Sequence, residues 1–322
     1  MKHIRIAVID KPDANHLRVL DTLPPAVEVV VSNEAGSLRE AAPGADVILN
    51  GIPDGRLLRE IFAHASRLRW VHSLSDGVEK ILFPELVSSP AILTNARGVF
   101  KRSLAEFVIG AVLHFAKDFR RLIRNQAAGI WQQYEMDEVY GKVMGIVGYG
   151  ETGQACAERA RPLGMTVLAL RRRPELSKEN LLLEAVFGPS GLHELLERSD
   201  YLVLAAPATP QTAKLIGKAE FQVMKPSSVV INVGRGWLID EAALIHALEC
   251  GRLRGAALDV FETTPLPPGH PFYRLENVLL SPHCADHTPG FYELDMEFFI
   301  QNLQRFLRGE PLRNVVDKEA GY

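Results

Sequence analysis

Residues 142–160 read KVMGIVGYGETGQACAERA and carry the strongest fold signal in the chain. The apolar run Val143 to Val147 leads directly into a GxGxxG pattern formed by Gly148, Gly150 and Gly153. In a strand-to-helix turn the first glycine permits the tight turn, the second lets a pyrophosphate approach the backbone, and the third lets the helix pack closely on the strand. Because a helical pattern follows at once, the stretch predicts a dinucleotide-binding unit.

The helix that begins in this turn would direct its free N–H groups and the positive end of its dipole at a bound phosphate. We therefore expect the whole turn to contact the cofactor. The predicted cofactor-binding residues are Gly148, Tyr149, Gly150, Glu151, Thr152 and Gly153. The alternative is a glycine-rich turn that binds no ligand.

The next apolar run, Thr166 to Leu170, ends in Arg171, Arg172 and Arg173. A carboxylate at this place would accept hydrogen bonds from the 2′-hydroxyl of NAD, and none is present. Guanidinium groups instead form charge-assisted hydrogen bonds with a 2′-phosphate, worth about 1.5 to 3 kcal/mol each. The sequence predicts that NADP(H) is preferred, with NAD(H) as an alternative cofactor. A solvated basic turn is the other interpretation.

Short apolar runs alternate with helical patterns along most of the chain, which predicts parallel sheets covered by helices. In the first hundred residues the runs span residues 4–9, 27–31, 46–49, 68–72 and 92–94. Further on they span residues 143–147, 166–170, 185–187, 201–205, 229–233, 256–259 and 278–280. We predict an α/β fold with two doubly wound parallel-sheet domains, Rossmann-like and flavodoxin-like, and a cleft between them.

Two helical patterns connect the domains in this prediction. One runs from Ser103, a candidate N-cap, to about Ile123, and the other from about Pro289 to Leu307. We expect residues 1–100 to form the first segment of a substrate-binding domain and residues 101–289 to form the dinucleotide-binding domain. Residues 290–322 would be a return segment that completes the first domain.

The composition narrows the classes of function. The 322 residues carry Lys+Arg 36 and Asp+Glu 39, a formal net charge of −3, which disfavours non-specific binding to nucleic acid or to an anionic membrane. The three cysteines are far apart and form no CxxC pair, which fits a reducing compartment. No pattern of a signal peptide or a membrane span is present, so we expect a soluble cytoplasmic protein.

Reactive side chains follow two later strands. The motif INVGRG places Arg235 between glycines, and SPHCADHT places His283 just beyond another strand. An always-charged bidentate donor and a group that titrates near neutrality are what the reduction of a 2-keto acid needs. We predict that Arg235 binds and polarises the substrate and that His283 donates a proton to its carbonyl oxygen. A metal site at His283 and His287 is disfavoured because no third ligand is evident.

The chain resembles the D-isomer-specific 2-hydroxyacid dehydrogenases over nearly its whole length. The motifs that carry the resemblance occur in the order TNARG (94–98), AEFVIGAVL (105–113), GIVGYGETG (145–153), PATPQT (207–212), INVGRG (231–236), ALDVFETTPLP (257–267) and SPHCAD (281–286). The resemblance implies the two-domain fold and NAD(P)-dependent hydride transfer on a small 2-keto or 2-hydroxy acid. It also implies a homodimer in which the segment of Trp131 and Tyr134 contacts the other subunit.

The resemblance assigns roles to matching positions of this chain. Arg235 would bind the substrate carboxylate and carbonyl, and His283 would be the general acid in reduction. Further cofactor contacts are implied for Ala206, Pro207, Thr212, Val233, Gly234, Asp259 and Ala285. The loop Ser75-Asp76-Gly77-Val78 would cradle the substrate carboxylate with its backbone N–H groups, which makes Asp76, Gly77 and Val78 substrate-binding residues.

Two positions depart from the family pattern. Thr264 stands where the family carries a glutamate that pairs with the catalytic histidine and favours its protonated form, so we expect a more acidic pH optimum for reduction. Glu262 and Asp286 are the alternative acids for this role. Asp76 stands where the family has a small neutral residue, so either it points away from the substrate or the substrate differs from the family norm.

Three hypotheses of function follow. The leading one is an NADPH-dependent reductase of a small 2-keto acid such as glyoxylate or hydroxypyruvate. The second is a binding protein that senses dinucleotides, similar to the C-terminal-binding corepressors of this fold, and the missing glutamate motivates it. The third is a dehydrogenase that oxidises a small anion such as formate or phosphite.

Overall fold

A computed structural model describes residues 3–322 of the chain. Its strands are β1 (Ile4–Ile9), β2 (Val27–Ser32), β3 (Val47–Asn50), β4 (Trp70–Ser73), β5 (Ile92–Asn95), β6 (Val143–Val147), β7 (Thr166–Leu170), β8 (Ala185–Phe187), β9 (Tyr201–Leu204), β10 (Val229–Asn232), β11 (Gly255–Leu258) and β12 (Val278–Leu280). Its α-helices are α1 (Ala35–Ala41), α2 (Arg56–Phe62), α3 (Pro84–Ser88), α4 (Lys101–Lys117), α5 (Phe119–Ala127), α6 (Glu151–Ala160), α7 (Leu192–Arg198), α8 (Lys218–Val223), α9 (Glu241–Glu249) and α10 (Phe291–Arg308).

The chain divides into two compact units. Unit 1 contains the residues up to Phe100 together with Thr288–Tyr322, and unit 2 contains Lys101–His287. Each unit has one sheet, and every strand pair in both sheets is parallel. The predicted α/β fold with two parallel sheets is therefore confirmed. No helix within residues 3–322 combines the length and the apolar composition that crossing a membrane requires.

Unit 1 has the strand order β2-β1-β3-β4-β5, which is the flavodoxin-like arrangement. The last helix, α10, returns to this sheet, and the Phe299 ring stacks on Trp70 of β4 with the ring centroids 5.3 Å apart. Beyond α10, the Val316 N–H donates to the Leu93 carbonyl (2.9 Å) and the Lys318 ammonium donates to carbonyls near α3, including Ser89 (2.7 Å). The C-terminal segment is thus part of the core and of the sheet edge of unit 1.

Unit 2 has the strand order β12-β11-β10-β9-β6-β7-β8. Counted from β6, the strands follow the Rossmann order 3-2-1-4-5-6 with a seventh strand added at one edge. The strand order reverses between β6 and β9, which lie side by side. In sheets of this kind ligands bind at the carboxyl ends of the strands beside that reversal. The topology therefore places the glycine turn after β6 at the expected ligand site.

The prediction of a single helix from Ser103 to about Ile123 is wrong. The chain breaks at Asp118, which adopts a left-handed backbone (φ 50°) and caps α5 by accepting a hydrogen bond from the Arg121 N–H. A short polar residue tolerates this conformation and satisfies a free N–H group, so the break leaves the apolar periodicity unchanged. Ser103 lies inside α4 rather than at its N-cap.

Candidate functional site

The glycine turn after β6 is shaped by contacts that side chains would obstruct. Gly148 has φ 96°, and a Cβ atom there would lie 2.5 Å from the Ala206 nitrogen. A Cβ atom on Gly153 would lie 2.5 Å from the Gly148 carbonyl oxygen. Around Gly150, by contrast, a Cβ atom would meet nothing within 4 Å. The first and third glycines are needed for packing, and the second borders open space.

Helix α6 begins directly after Gly150, which is its N-cap. The N–H groups of its first turn, at Glu151, Thr152 and Gly153, have no acceptor within the helix and are available to a phosphate. Tyr149 is different, because its ring is 1% exposed and burial raises the pKa of its hydroxyl to about 12. The Tyr149 side chain therefore belongs to the core, and only its backbone is available to a ligand.

The chain after β9 forms the other wall of this turn. Ala206 is buried against Gly148, and Pro207 follows it. The Thr212 hydroxyl donates to the Pro207 carbonyl (2.7 Å) and accepts from the Thr209 N–H (2.9 Å), which holds the PATPQT turn in shape. Two predicted cofactor positions are thus adjacent to the glycine turn, and the third stabilises the loop that carries them.

The three arginines begin where β7 ends. The Gly148 N–H donates to the Leu170 carbonyl (2.9 Å), so the glycine turn and the start of the arginine run are directly linked. Arg171 is half-buried and its guanidinium donates to the buried Ser177 hydroxyl, whereas Arg172 and Arg173 are exposed. The side chain of Arg171 therefore stabilises the turn, whereas those of Arg172 and Arg173 are exposed to solvent and accessible to a ligand.

Arg235 follows β10 in a turn that Asn232 stabilises. The Asn232 side chain donates to the Arg235 carbonyl (2.9 Å) and accepts from the Gly234 N–H (3.1 Å). The Arg235 guanidinium donates to the Gly234 carbonyl (2.7 Å) and is partly exposed. Gly236 leaves no room for a side chain, because a Cβ atom would lie 2.0 Å from the Phe261 carbonyl carbon. Val233 and Gly234, both predicted cofactor contacts, are buried in this turn.

His283 is exposed in the loop after β12 and has a left-handed backbone with φ 56°. Such a conformation costs about 1 to 3 kcal/mol in a non-glycine residue unless neighbouring structure enforces it. Asp259 provides the enforcement, because its Oδ1 atom accepts hydrogen bonds from the Ser281 hydroxyl (2.5 Å) and from the N–H groups of Cys284 (2.9 Å) and Ala285 (3.1 Å).

A second clamp acts on the same loop. The Ser103 hydroxyl in α4 donates to the Ala285 carbonyl (2.6 Å), so both the N–H and the carbonyl of Ala285 are held by side chains. Sequence reasoning missed this role of Ser103 and also the role of Asn232. Asn232 lies within the INVGRG motif that the sequence analysis singled out, but Ser103 carries no local pattern that distinguishes it.

The two acids predicted as substitutes for the missing glutamate, Glu262 and Asp286, lie in different surroundings. Glu262 accepts from the Glu241 N–H (3.5 Å) and lies 3.4 Å from the Lys214 ammonium, at the start of α9. Thr264 is exposed. Asp286 is largely buried, and burial raises the pKa of its carboxyl while the positive charges of His287 and His283 oppose that rise.

In unit 1, the loop after β4 holds the predicted substrate-binding residues Asp76, Gly77 and Val78. The Asn95 side chain donates to the Asp76 carbonyl (2.5 Å), and Val78 is buried. Among residues 3–322 the N–H groups of Gly77 and Val78 have no acceptor, so they are available to an anion. Asp295 of α10 is fully buried, and burial together with the charge of Asp76 holds the pKa of Asp295 well above its usual range.

Unit 2 has the glycine turn and the strand order of a Rossmann domain that binds a nicotinamide dinucleotide. The chain belongs to the D-isomer specific 2-hydroxyacid dehydrogenase family, whose NAD-binding domain matches residues 109–285. It is 37% identical to the glyoxylate reductase of Thermococcus gammatolerans over 279 residues, which cover 82% of this chain and 81% of that protein. The chain is therefore an NAD(P)-dependent oxidoreductase.

Solved structures agree with this assignment. A D-isomer specific 2-hydroxyacid dehydrogenase from Xanthobacter autotrophicus, in complex with NADPH and MES, superposes with a TM-score of 0.85 at 27% identity and covers 99% of this chain and 100% of its own. An NADPH-dependent glyoxylate/hydroxypyruvate reductase from Sinorhizobium meliloti, in complex with NADP and sulfate, superposes with a TM-score of 0.84 at 27% identity over 99% and 100% of the two chains.

Proposed function

We propose that the chain reduces a small 2-keto acid, of the glyoxylate or hydroxypyruvate type, to the D-2-hydroxy acid with NADPH. One observation carries the proposal: Arg235 and His283 both follow strands of the sheet whose switch point holds the glycine turn. The carboxyl ends of parallel strands lie at one edge of a sheet, so the turn, the guanidinium and the imidazole share that edge. The reductases of T. gammatolerans and S. meliloti support this substrate class.

In this mechanism NADPH, when bound, supplies the hydride that adds to the keto carbon. The guanidinium of Arg235 binds the substrate carboxylate and polarises the carbonyl, because its fork of N–H donors matches two oxygen atoms. The imidazolium of His283 gives its proton to the carbonyl oxygen, which becomes the hydroxyl of the product. In unit 1, the N–H groups of Gly77 and Val78, in the loop that contains Asp76, bind a substrate carboxylate.

The cofactor contacts of the proposal come from the strand ends of unit 2. The N–H groups of Gly150 and of the first turn of α6 bind the pyrophosphate, and Gly148 shapes the turn that carries them. Ala206, Pro207, Val233 and Gly234 line the dinucleotide, and Thr212 shapes that wall. Asp259 and Ala285 lie towards the nicotinamide, where Asp259 also holds the His283 loop.

The arginine run provides a test of the cofactor preference. Replacing both exposed members, as Arg172→Gln with Arg173→Gln, is expected to lower the ratio of kcat/KM for NADPH over NADH by about 10- to 100-fold, because at least one charge-assisted bond to the 2′-phosphate is lost. Initial rates with each cofactor measure the ratio. Arg161→Gln, an exposed arginine beyond the far end of α6, is the matched control. An unchanged ratio would mean that the run is only a solvated turn.

The second glycine provides a test of the pyrophosphate position. Gly150→Ala is expected to change the free energy of unfolding by less than about 1 kcal/mol, because the new methyl group meets open space, yet to weaken NADPH binding by about tenfold or more. Calorimetry with NADPH and urea unfolding measure the two effects. Gly110→Ala, on an equally open position within α4, should leave NADPH binding unchanged. Full affinity in the Gly150→Ala variant contradicts the predicted approach of the pyrophosphate.

We also propose a homodimer through the surface around Trp131. The side chain of Trp131 is 96% exposed, and Ile123 and Ile130 nearby are exposed as well. Contiguous exposed apolar side chains of this size mark interaction surfaces. Tyr134 in the same segment is anchored by its hydroxyl, which donates to the Lys117 carbonyl (3.2 Å). Sedimentation of the wild type and of a Trp131→Asp variant tests the proposal, since the variant should be monomeric.

The proposal as a whole is tested by initial rates of NADPH and NADH oxidation with glyoxylate, hydroxypyruvate, pyruvate, phenylpyruvate and 2-ketoisocaproate between about pH 5 and 8. Turnover with NADPH favoured over NADH is the expected result. Tight NADPH binding without turnover of any keto acid would instead support a dinucleotide-sensing protein. NADP⁺-linked oxidation of formate or phosphite, without reduction of keto acids, would support the oxidising dehydrogenase.

A further inference from the structure

The turn that carries Arg235 packs against a single peptide unit of the loop after β11. Gly236, the next residue, has no room for a side chain, because a Cβ atom there would overlap the Phe261 carbonyl group and the Glu262 nitrogen. These atoms belong to one peptide unit, which is planar and moves as a whole. The position of the Phe261–Glu262 peptide therefore determines how the Arg235 turn is seated.

The side chain of Glu241, in the first turn of α9, holds that peptide in place. Its Oε1 atom accepts a hydrogen bond from the Glu262 N–H (2.6 Å), and its Oε2 atom lies 3.7 Å from Nε2 of His270. The Glu241 side chain is only 14% exposed, and hydrogen bonds to a carboxylate are roughly twice as strong as those between neutral groups. The Asp240 side chain caps α9 by accepting from the Ala243 N–H (3.1 Å), so the carboxylate projects from a well-fixed helix start.

Further contacts connect the same peptide to the turn. The Glu262 carboxylate accepts from the Glu241 N–H (3.5 Å) and lies 3.4 Å from the Lys214 ammonium. The Lys214 N–H donates to the carbonyl of Trp237 (2.8 Å), which lies two residues beyond Arg235. The start of α9, the loop after β11 and the segment before α8 are thus joined around the turn that presents the guanidinium.

We propose that Glu241 is a positioning residue for Arg235, because its carboxylate holds the peptide against which the Arg235 turn packs. This inference rests on the proposed function, in which Arg235 binds the substrate. Without the carboxylate the Phe261–Glu262 peptide can shift, and the guanidinium moves away from the place where it binds two substrate oxygens. A displacement of about 1 Å in a positioning group can cost on the order of 100-fold in rate, so this contact should affect kcat/KM.

A Glu241→Ala variant provides the main test. The KM for glyoxylate should rise by about tenfold, with a smaller fall in kcat, because Arg235 binds the substrate both before and during the reaction. The NADPH dissociation constant should stay within about twofold of the wild type. Glu241→Gln keeps an oxygen that accepts from the Glu262 N–H and should restore most of the wild-type KM. Glu249→Ala, which removes an exposed carboxylate at the other end of α9, is the matched control. An unchanged KM in Glu241→Ala would overturn the proposal.

A second measurement needs no turnover. Trp237 lies in the turn itself, and fluorine NMR of protein labelled with 5-fluorotryptophan gives a signal for it that a Trp237→Phe variant assigns. This signal should shift or broaden in Glu241→Ala and in the milder Glu241→Asp, but not in Glu249→Ala. A wild type that reduces no keto acid would refute the proposed function, whereas a Trp237 signal that ignores Glu241 would refute this inference alone.

Discussion

A His283→Gln variant is expected to reduce glyoxylate with a kcat lower by about 10³-fold, because a positioned general acid contributes about 10² to 10⁴ in rate. Glutamine still forms hydrogen bonds but has no proton to give at neutral pH. The NADPH affinity should change by less than about twofold, since the glycine turn and the arginine run are untouched. Stopped-flow rates and calorimetry with NADPH give the two quantities.

The matched control for this variant is His287→Gln, four residues further along the same loop. His287 follows the two residues, Cys284 and Ala285, whose N–H groups donate to Asp259. It has no role in the proposed proton transfer. It should retain a kcat close to that of the wild type. If His283→Gln kept more than about a tenth of the wild-type kcat, the proton would have to come from another group.

The second large effect concerns the stability of unit 1 in acid. His72 of β4 is fully buried, and burial lowers its pKa to about 3. Its Nδ1 atom lies 2.6 Å from the Thr94 hydroxyl, while its Nε2 atom has no partner in the described part of the chain. The unfolded chain takes up a proton at this histidine below about pH 6.5 and the folded chain does not, so stability is lost as the pH falls from there towards 3.

We expect the free energy of unfolding to be about 3 kcal/mol lower at pH 4.5 than at pH 7.5 because of His72. The contribution is about 1.4 kcal/mol for each of the roughly two pH units between 6.5 and 4.5. A His72→Gln variant has no group to protonate and should lose about that much less between the two pH values. Its packing defect against Phe299 is present at both pH values and cancels in the comparison. The raised pKa of Asp295 lowers the stability of the folded protein as the pH rises. This effect is the same in the wild type and in the variant, so it also cancels.

Urea unfolding of unit 1 at the two pH values measures these free energies. Trp70 is buried in unit 1, so its fluorescence reports that unit when Trp131 and Trp237 of unit 2 are replaced by phenylalanine. His64→Gln, at an exposed position of the same unit, is the control and should follow the wild type at both pH values. Equal losses in the wild type and in His72→Gln would show that His72 is protonated in the folded protein.

The strands were largely predictable because both sheets are parallel and buried on both faces. Such strands are short, continuous apolar runs, and the runs 143–147, 166–170, 185–187 and 278–280 match β6, β7, β8 and β12 residue for residue. The helix patterns were less informative. The periodicity across Asp118 continues through a break that one left-handed residue and one cap hydrogen bond create.

The reactive and ligand-binding side chains could also be predicted from the sequence, but the surroundings of some of them could not. Tyr149 was grouped with the cofactor turn, and the structure puts its ring in the core. Whether a side chain points inward depends on the local backbone path, and in the His283 loop that path is set by Asp259 from another strand.

The class of the protein could be inferred from the sequence, because the glycine turn, the arginine run and the INVGRG motif are short patterns that can be recognised without their tertiary contacts. How the loop that carries His283 is held became visible only in the folded structure. Asp259 reaches the loop from 25 residues away and Ser103 from 182 residues away. No spacing rule encodes such contacts, since they exist only once the strands and α4 have packed.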